Sequence, residues 1–417
     1  MSKPLVVLGV TGGIAAYKSA EIIRRLKDEE FDVQVIATPS ALKFIGETTL
    51  AALSGHEVIS NIWDKPEEVK HVQIAKKASV ILVAPATADF IAHLANGFAD
   101  NALLATLLTT KSPVLIAPAM HTEMWENFAT QENIKKLKAR GVLVIDPAVG
   151  QLTSEDVGIG RLPEAIELVK IIKQIAIRNS SKIFNDLTGL KVLISAGGTR
   201  EAIDPIRFIG NRASGKQGLA LASAAFSRGA KVTVVGANIT ELIPAGINFI
   251  TANSASQMQD EMLLHSYDSD VILMNAAVAD FYIENPSAIK IKKDKNQMNL
   301  ELKQTQDILL NLAKVKKDSQ LLVGFAAETV KDIQELMDLA KKKYEAKKCD
   351  VLLANPVSHL QGMDRNENEF VMIAREKIEI LGKKDKLSLS HDVWDHLSVE
   401  LAKLGLVKSS PVEPDLE

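Results

Sequence analysis

Residues 5–14 read Leu-Val-Val-Leu-Gly-Val-Thr-Gly-Gly-Ile, an apolar run that stops at a glycine pair. The run Leu5–Val10 is short and bounded by turn residues, which predicts a strand buried on both faces of a parallel sheet. A helical pattern follows to about Leu26, and a second apolar run, Val33–Ala37, restarts the alternation. Strand, turn, helix, strand is the order of an α/β domain. Runs of the same kind return at Val80–Ala84, Val114–Ala117 and Val142–Ile145, so the first half reads as a doubly wound domain.

Between Ile177 and Leu187 the chain turns polar, through Arg178-Asn179-Ser180-Ser181-Lys182 and then Asn185-Asp186. Few packed contacts are expected there, which sets a domain boundary and divides the chain into 1–185 and 186–417. A strand at Lys191–Ser195 then meets Gly197-Gly198, and the alternation resumes through Val232–Val235, Val271–Met274, Leu321–Phe325 and Val351–Ala354. The fold class is therefore α/β, with two doubly wound, Rossmann-like parallel-sheet domains. The halves share an opening of strand, glycine pair and helix but otherwise diverge, so they are two domains rather than a repeat. The tail Ser409–Glu417 is expected to fray.

At 417 residues the chain exceeds one ordinary domain, and each half can bury a full core. A net charge of -3 offers no basic field for nucleic acid, so an anionic ligand must be held locally. The single cysteine, Cys349, excludes an intramolecular disulfide framework and a cysteine-cluster metal site, and fits a reducing, cytoplasmic setting. Pro4–Val10 runs straight into glycines rather than following a signal-peptide pattern, and no apolar run approaches membrane-spanning length.

Gly9-Val10-Thr11-Gly12-Gly13-Ile14 closes a strand and opens a helix, so backbone amides and the helix dipole converge on the turn, where a phosphate is the natural occupant. The spacing is not the dinucleotide fingerprint, and a glycine pair alone also serves a tight turn. Thr38-Pro39-Ser40-Ala41 and Pro85-Ala86-Thr87-Ala88 follow further strands and place hydroxyls at successive carboxyl ends of one sheet, where open α/β folds bind ligands. His71 begins His-Val-Gln-Ile-Ala-Lys-Lys-Ala, near a helix N-terminus whose dipole disfavours the imidazolium.

Together with Gly9–Lys18, His71 and Pro85–Ala88, the segments Pro118-Ala119-Met120 and Gly158-Ile159-Gly160-Arg161 resemble the homo-oligomeric flavin-containing cysteine decarboxylases, in their phosphopantothenoylcysteine decarboxylase branch, over residues 4–165. The resemblance implies a flavodoxin-like flavoprotein domain with FMN against Gly12, Gly13, Ser40, Thr87, Ala119 and Met120. It also implies that the flavin oxidises the substrate thiol toward a thioaldehyde, which accepts the electrons released as carbon dioxide leaves, with His71 handling the proton. Two positions depart from the family. His121 stands where asparagine commonly holds the substrate carboxylate, and Ser154 where a cysteine on the flap commonly supplies a proton. A serine hydroxyl is a far weaker acid than a thiol. His121 then replaces the carboxylate contact and another group protonates the intermediate; the alternative is that reduction is impaired and the product altered.

Ser195-Ala196-Gly197-Gly198-Thr199-Arg200-Glu201 closes the strand that opens the second half, and Ile209–Gly218 leads into a helix, gathering glycines, hydroxyls and Lys216 where a phosphate could be cradled. The spacing is not a Walker motif, and a long glycine-rich turn reads the same way. With Asn275–Asp280, Lys290-Ile291-Lys292-Lys293, Gly324–Thr329 and the series Lys343, Lys347, Asp350, Asn355, the region 189–380 resembles phosphopantothenate–cysteine ligase. That family activates a carboxylate as a mixed anhydride with a nucleotide, and bacterial members use CTP. The resemblance implies Ala276 and Phe325 at the cytosine, Asp280 near the ribose, Lys343 and Lys347 at the triphosphate, and Mg2+ bridging the phosphates. It implies Asn211 at the acyl-cytidylate and Lys290 as a mobile lysine needed for its conversion; alone, Lys290–Lys295 reads as a solvated charge run. No metal ligands are assigned.

The combined expectation is an enzyme that ligates cysteine to 4'-phosphopantothenate and then decarboxylates the product to 4'-phosphopantetheine. The resemblance implies trimers of the first domain and dimers of the second, compatible with a dodecamer. Two rivals are a non-catalytic flavoprotein subunit, which would lack the ligase series, and an oxidoreductase of two dinucleotide folds, which calls for a spaced glycine fingerprint. His391 and His396 do not share a helix face, and Cys349 is expected in the core.

Overall fold

The apolar runs of the first half line up as one sheet in the computed structural model, which describes residues 3–61, 69–151, 157–179, 186–292, 299–357, 365–375 and 377–407. Strands β1 (Leu5–Val10), β2 (Asp32–Ala37), β3 (Val80–Ala86), β4 (Val114–Pro118) and β5 (Leu143–Val144) take the order β2-β1-β3-β4-β5, every pair parallel. This is the flavodoxin-like order, and the winding reverses between β1 and β3. Val7, Ile81, Val83 and Ile116 from the strands pack against Phe90, Ile91 and Leu103 from the covering helices. Each such side chain contributes about 1.5–3 kcal/mol when fully buried.

Two features of this unit differ from the sequence reading. The helix expected to open at the glycine pair begins as a 3-10 segment, Ile14–Lys18, and becomes α-helical only at Ser19–Asp28. Ala16 N–H donates to the Gly13 carbonyl at 2.9 Å, so the peptide groups nearest Gly12 belong to a tight turn, and the α-helical dipole starts a turn and a half further on. A hairpin of β6 (Ala148–Gln151) and β7 (Val157–Arg161), with three glycines, carries no apolar run to announce it.

In the second half, β8 (Lys191–Gly197), β9 (Arg200–Ala202), β10 (Phe208–Gly210), β11 (Lys231–Ala237), β12 (Asn248–Thr251), β13 (Val271–Met274), β14 (Phe281–Tyr282), β15 (Lys303–Gln304), β16 (Leu321–Glu328), β17 (Val351–Pro356), β18 (Glu367–Ala374) and β19 (Lys377–Asp385) follow. The large sheet runs β12-β11-β8-β13-β16-β17-β18-β19. Its first six strands are parallel in the doubly wound order 3-2-1-4-5-6, reversing between β8 and β13. Strands β18 and β19 are antiparallel, an extension that the expectation of a purely parallel sheet omits. Only Leu381 of β19 is buried, with Ile378 packed against the core, and the other positions are charged, exposed or half-buried, so no continuous apolar run forms.

The chain separates into compact units at Met1–Asn185 and Asp186–Glu417. In the second, the buried Arg228 guanidinium is paired with Asp186 and, at 3.0 Å, with Asp395, which ties the start of the unit to its last helix, Lys386–Lys403. No helix among the described residues is long and apolar enough to cross a membrane.

Candidate functional site

Each sheet has one place where the winding reverses, and Gly12, Thr87 and Ala276 lie just past the carboxyl ends of the strands beside it. In the first unit, Thr11 follows β1 and its hydroxyl crosses to the far side of the reversal. Thr11 Oγ1 donates to the Pro85 carbonyl at 2.8 Å and accepts from Thr87 N–H at 3.0 Å. Thr87 then caps the helix Ala88–Asn96, its hydroxyl accepting from Phe90 N–H. Gly12 lies against the loop after β2: a Cβ there would stand 2.3 Å from Ser40 Cβ. Only glycine lets these two loops close, which brings Gly12, Gly13, Ser40 and Thr87 to one crevice.

Ala119 N–H donates to the Ala86 carbonyl at 3.1 Å, extending the same edge to β4, and Met120 packs against the core beneath. The β6–β7 hairpin is fastened to this segment. Met120 N–H donates to the Gly160 carbonyl at 3.0 Å, and Thr122 Oγ1 donates to the Ile159 carbonyl at 2.9 Å. A Cβ on Gly160 would stand 2.1 Å from the Met120 carbonyl oxygen, so the fastening requires glycine. Ser154, on the flap between these strands in sequence, lies outside the described residues, as do Lys293–Lys295 and the tail Ser409–Glu417. His121 is exposed at the start of the helix Thr122–Glu126. His71 is the second residue of the helix Lys70–Lys77 and half-buried.

In the second unit the reversal is stitched by two hydroxyls. Ser195 Oγ accepts from Ala276 N–H at 2.9 Å, and Thr199 Oγ1 accepts from Ala279 N–H at 2.8 Å. Between them Ala277 N–H donates to the Gly197 carbonyl at 2.8 Å. The loops after β8 and β13 thus run side by side, bringing Ala276 and Asp280 near Asn211, whose side-chain amide donates to the Val278 carbonyl at 2.8 Å. Phe325 lies on β16, its ring edge-on to Phe370 at 5.8 Å. Lys343 and Lys347 occupy one face of the helix Ile333–Lys347. Both are engaged by carboxylates: Lys343 Nζ stands 2.5 Å from Glu328 Oε1, and Lys347 pairs with Asp307. Lys290 is exposed on the segment after β14.

Sequence reasoning passed over Thr11, Ser195 and Thr199, although each lies within a quoted motif; a hydroxyl ending the first strand of a doubly wound sheet is the signal. It also gave no role to Glu328 and Asp307, which hold the two lysines. Cys349 is buried, and burial pushes its thiol up to about 11, which removes it as a nucleophile. Among the described residues no cluster of three metal-binding side chains occurs.

The sequence is similar to known proteins over both units. Residues 1–177 match the family described as Flavoprotein, and residues 187–400 match the DNA/pantothenate metabolism flavoprotein C-terminal domain. The chain is 42% identical over 381 residues to the coenzyme A biosynthesis bifunctional protein CoaBC of Mycolicibacterium smegmatis, covering 90% of this chain and 92% of that one. It is 39% identical over 393 residues to the protein of the same name from Vibrio vulnificus, covering 93% and 96%. Among solved structures, the C-terminal domain of a CoaBC protein is 31% identical, with a TM-score of 0.44, covering 52% of this chain and 99% of that one.

Proposed function

The chain belongs to the family of bifunctional coenzyme A biosynthesis proteins, uniting phosphopantothenoylcysteine decarboxylase and phosphopantothenate–cysteine ligase, and we propose that the two crevices divide these reactions between them. The observation that carries the division is that each parallel sheet has its own reversal point, with its own set of loops across it. Residues 1–185 are assigned the decarboxylase and 186–417 the ligase.

In the first crevice, uncharged donors and glycine backbone suit the phosphate and ring of FMN, with Gly12, Gly13, Ser40, Thr87, Ala119 and Met120 against it. When bound, FMN supplies reversible two-electron oxidation of the substrate thiol. His71, the second residue of the helix Lys70–Lys77, is the proposed proton acceptor. His121 is assigned the substrate carboxylate; Ser154 stands at the position of the flap cysteine, and another group is assigned the protonation of the intermediate.

In the second crevice a carboxylate must first be made a better acylating agent. Its oxygen attacks the α-phosphorus of CTP and pyrophosphate leaves; the cysteine amine then attacks the acyl carbon and CMP departs. Ala276 and Phe325 are assigned the base, Asp280 the ribose, and Lys343 and Lys347 the triphosphate with its Mg2+. Glu328 and Asp307 now pair with these lysines, and phosphate oxygens of the bound nucleotide take over as their partners in this reading. Asn211 and Lys290 are assigned to the acyl-cytidylate. The substrates are small molecules. Assembly through trimers and dimers in the cytoplasm completes the reading.

The test follows two signals from the full chain given CTP, Mg2+, phosphopantothenate and cysteine. Pyrophosphate is expected first and carbon dioxide second, from a yellow protein whose melting temperature rises with CTP. A colourless protein that takes up no flavin, and whose melting ignores CTP and Mg2+, sinks the assignment.

A further inference from the structure

Asp204 is buried in the turn before β10, and its two carboxylate oxygens do different things. Oδ1 closes the turn, accepting from Ile206 N–H and Arg207 N–H, both at 2.8 Å. Oδ2 reaches far along the chain and accepts from Ile291 N–H at 3.2 Å, with Arg207 Nη1 at 3.3 Å beside it. Arg207 Nη2 in turn donates to the Ile291 carbonyl at 3.3 Å. Both backbone groups of the residue after Lys290 are therefore taken by one acid–base pair. The residue before it is also held. Ser287 Oγ donates to the Ile289 carbonyl at 2.7 Å, and Ser287 N–H donates to the Ile203 carbonyl at 2.9 Å in the same turn.

We propose that Asp204, acting with Arg207, is a positioning residue for the ligase: it fixes the root from which the exposed Lys290 is presented to the acyl-cytidylate. This rests on the ligase reading of Lys290. A turn needs only Oδ1; an ionised carboxylate kept out of water needs partners for both oxygens, and the second is spent on the lysine's neighbour. Burial alone would raise the Asp204 carboxyl, but the Ile206, Arg207 and Ile291 amides and the Arg207 guanidinium outweigh it and hold it below the usual carboxylate range. The same turn runs into β10 and directly on to Asn211, so one short segment sets two of the proposed ligase residues.

The test uses the full chain and separates the half-reactions. Pyrophosphate released from CTP and phosphopantothenate without cysteine reports activation; CMP released on adding cysteine reports coupling. Asp204→Asn is expected to leave activation within about threefold and to slow coupling about 10- to 100-fold, as misplacing a reacting group does. Lys290→Gln should slow the same step, and the double variant should be no slower than Lys290→Gln alone, because the two act as a unit. Hydrogen exchange over residues 287–292 should quicken in Asp204→Asn. Losses that multiply in the double variant, or a fall in activation equal to that in coupling, overturn the proposal. If Asp204→Asn fails to fold, Arg207→Lys keeps a cation beside Asp204 but cannot fork to Ile291; a coupling rate equal to the parent's then overturns it. Lys290→Gln coupling at the parent rate would instead sink the ligase reading of Lys290, an outcome told apart by that single variant.

Discussion

The two crevices are built alike and furnished differently. In both, a hydroxyl at the end of the sheet's first strand bonds across the reversal point, Thr11 to Pro85 and Thr87 in one, Ser195 to Ala276 in the other. A doubly wound sheet splays its loops apart at that point, and the cross-bond sets the width of the opening. What differs is charge. The residues proposed for the first crevice carry no charge apart from the histidines His71 and His121, whereas those proposed for the second include Lys290, Lys343 and Lys347, the last two paired with the acids Glu328 and Asp307. A flavin with one phosphate needs shape and donors, while a triphosphate needs counter-charge. The common frame therefore comes from topology, and the chemistry from side chains set on the loops.

If the division is real, each crevice can be disabled alone. The largest effect is expected from His71→Asn, which removes a proton acceptor and should lower carbon dioxide release by about 10²- to 10⁴-fold. Pyrophosphate release under the same conditions should be unchanged. A parallel fall in both signals would mean that the two crevices do not act independently.

Gly12→Ala comes next. Its Cβ would press to 2.3 Å of Ser40 Cβ and 2.9 Å of the Ser40 carbonyl carbon, so the backbone after β2 has to move. Overpacking of this kind costs about 1–3 kcal/mol, which spent on the flavin site weakens FMN binding about 5- to 150-fold. Flavin absorbance per protein after dialysis measures it. The rise in melting temperature with CTP should survive, and an equal loss of both ligands would contradict a local effect.

The central strands were legible because the parallel part of each sheet is covered on two faces, which writes each of them as an unbroken apolar run such as Val80–Ala84. The edge of the second sheet was not. Strand β19, Lys-Ile-Glu-Ile-Leu-Gly-Lys-Lys-Asp, mixes charged and apolar residues because as an edge strand it buries only Leu381 fully. The glycines and lysines proposed for the sites were singled out through the family likeness, which ties those residue types to fixed positions along the chain. Their partners were not. Glu328 and Asp307 are ordinary acids in sequence and acquire meaning only when folding sets them beside Lys343 and Lys347. Asp204 is hidden in the same way, since its partner Ile291 N–H is a backbone group that no pattern of side chains can signal.

The smallest effect is expected where neither crevice is touched. Asp385 ends β19 and caps the helix Lys386–Lys403, its Oδ1 accepting from Leu387 N–H at 3.1 Å and Ser388 N–H at 3.0 Å. Burial alone would raise its carboxyl, but the Ser388 hydroxyl and amide, the Leu387 amide and the nearby His391 outweigh it and hold the group below the usual carboxylate range. Losing such a cap costs about 1 kcal/mol, so Asp385→Ala should lower the stability of the second unit by that much near neutral pH. Because the folded value is depressed, the contribution is fully present above the unfolded value of about 3.9 and is lost as pH falls through the folded one. The gap between parent and variant should therefore hold from pH 7 to about 4 and close below that, read from urea unfolding at stepped pH. The KM for CTP should not move. If it did, the second crevice would depend on the stability of the whole unit rather than on the stitching by Ser195 and Thr199, and the likeness between the two reversal points would lose its physical basis.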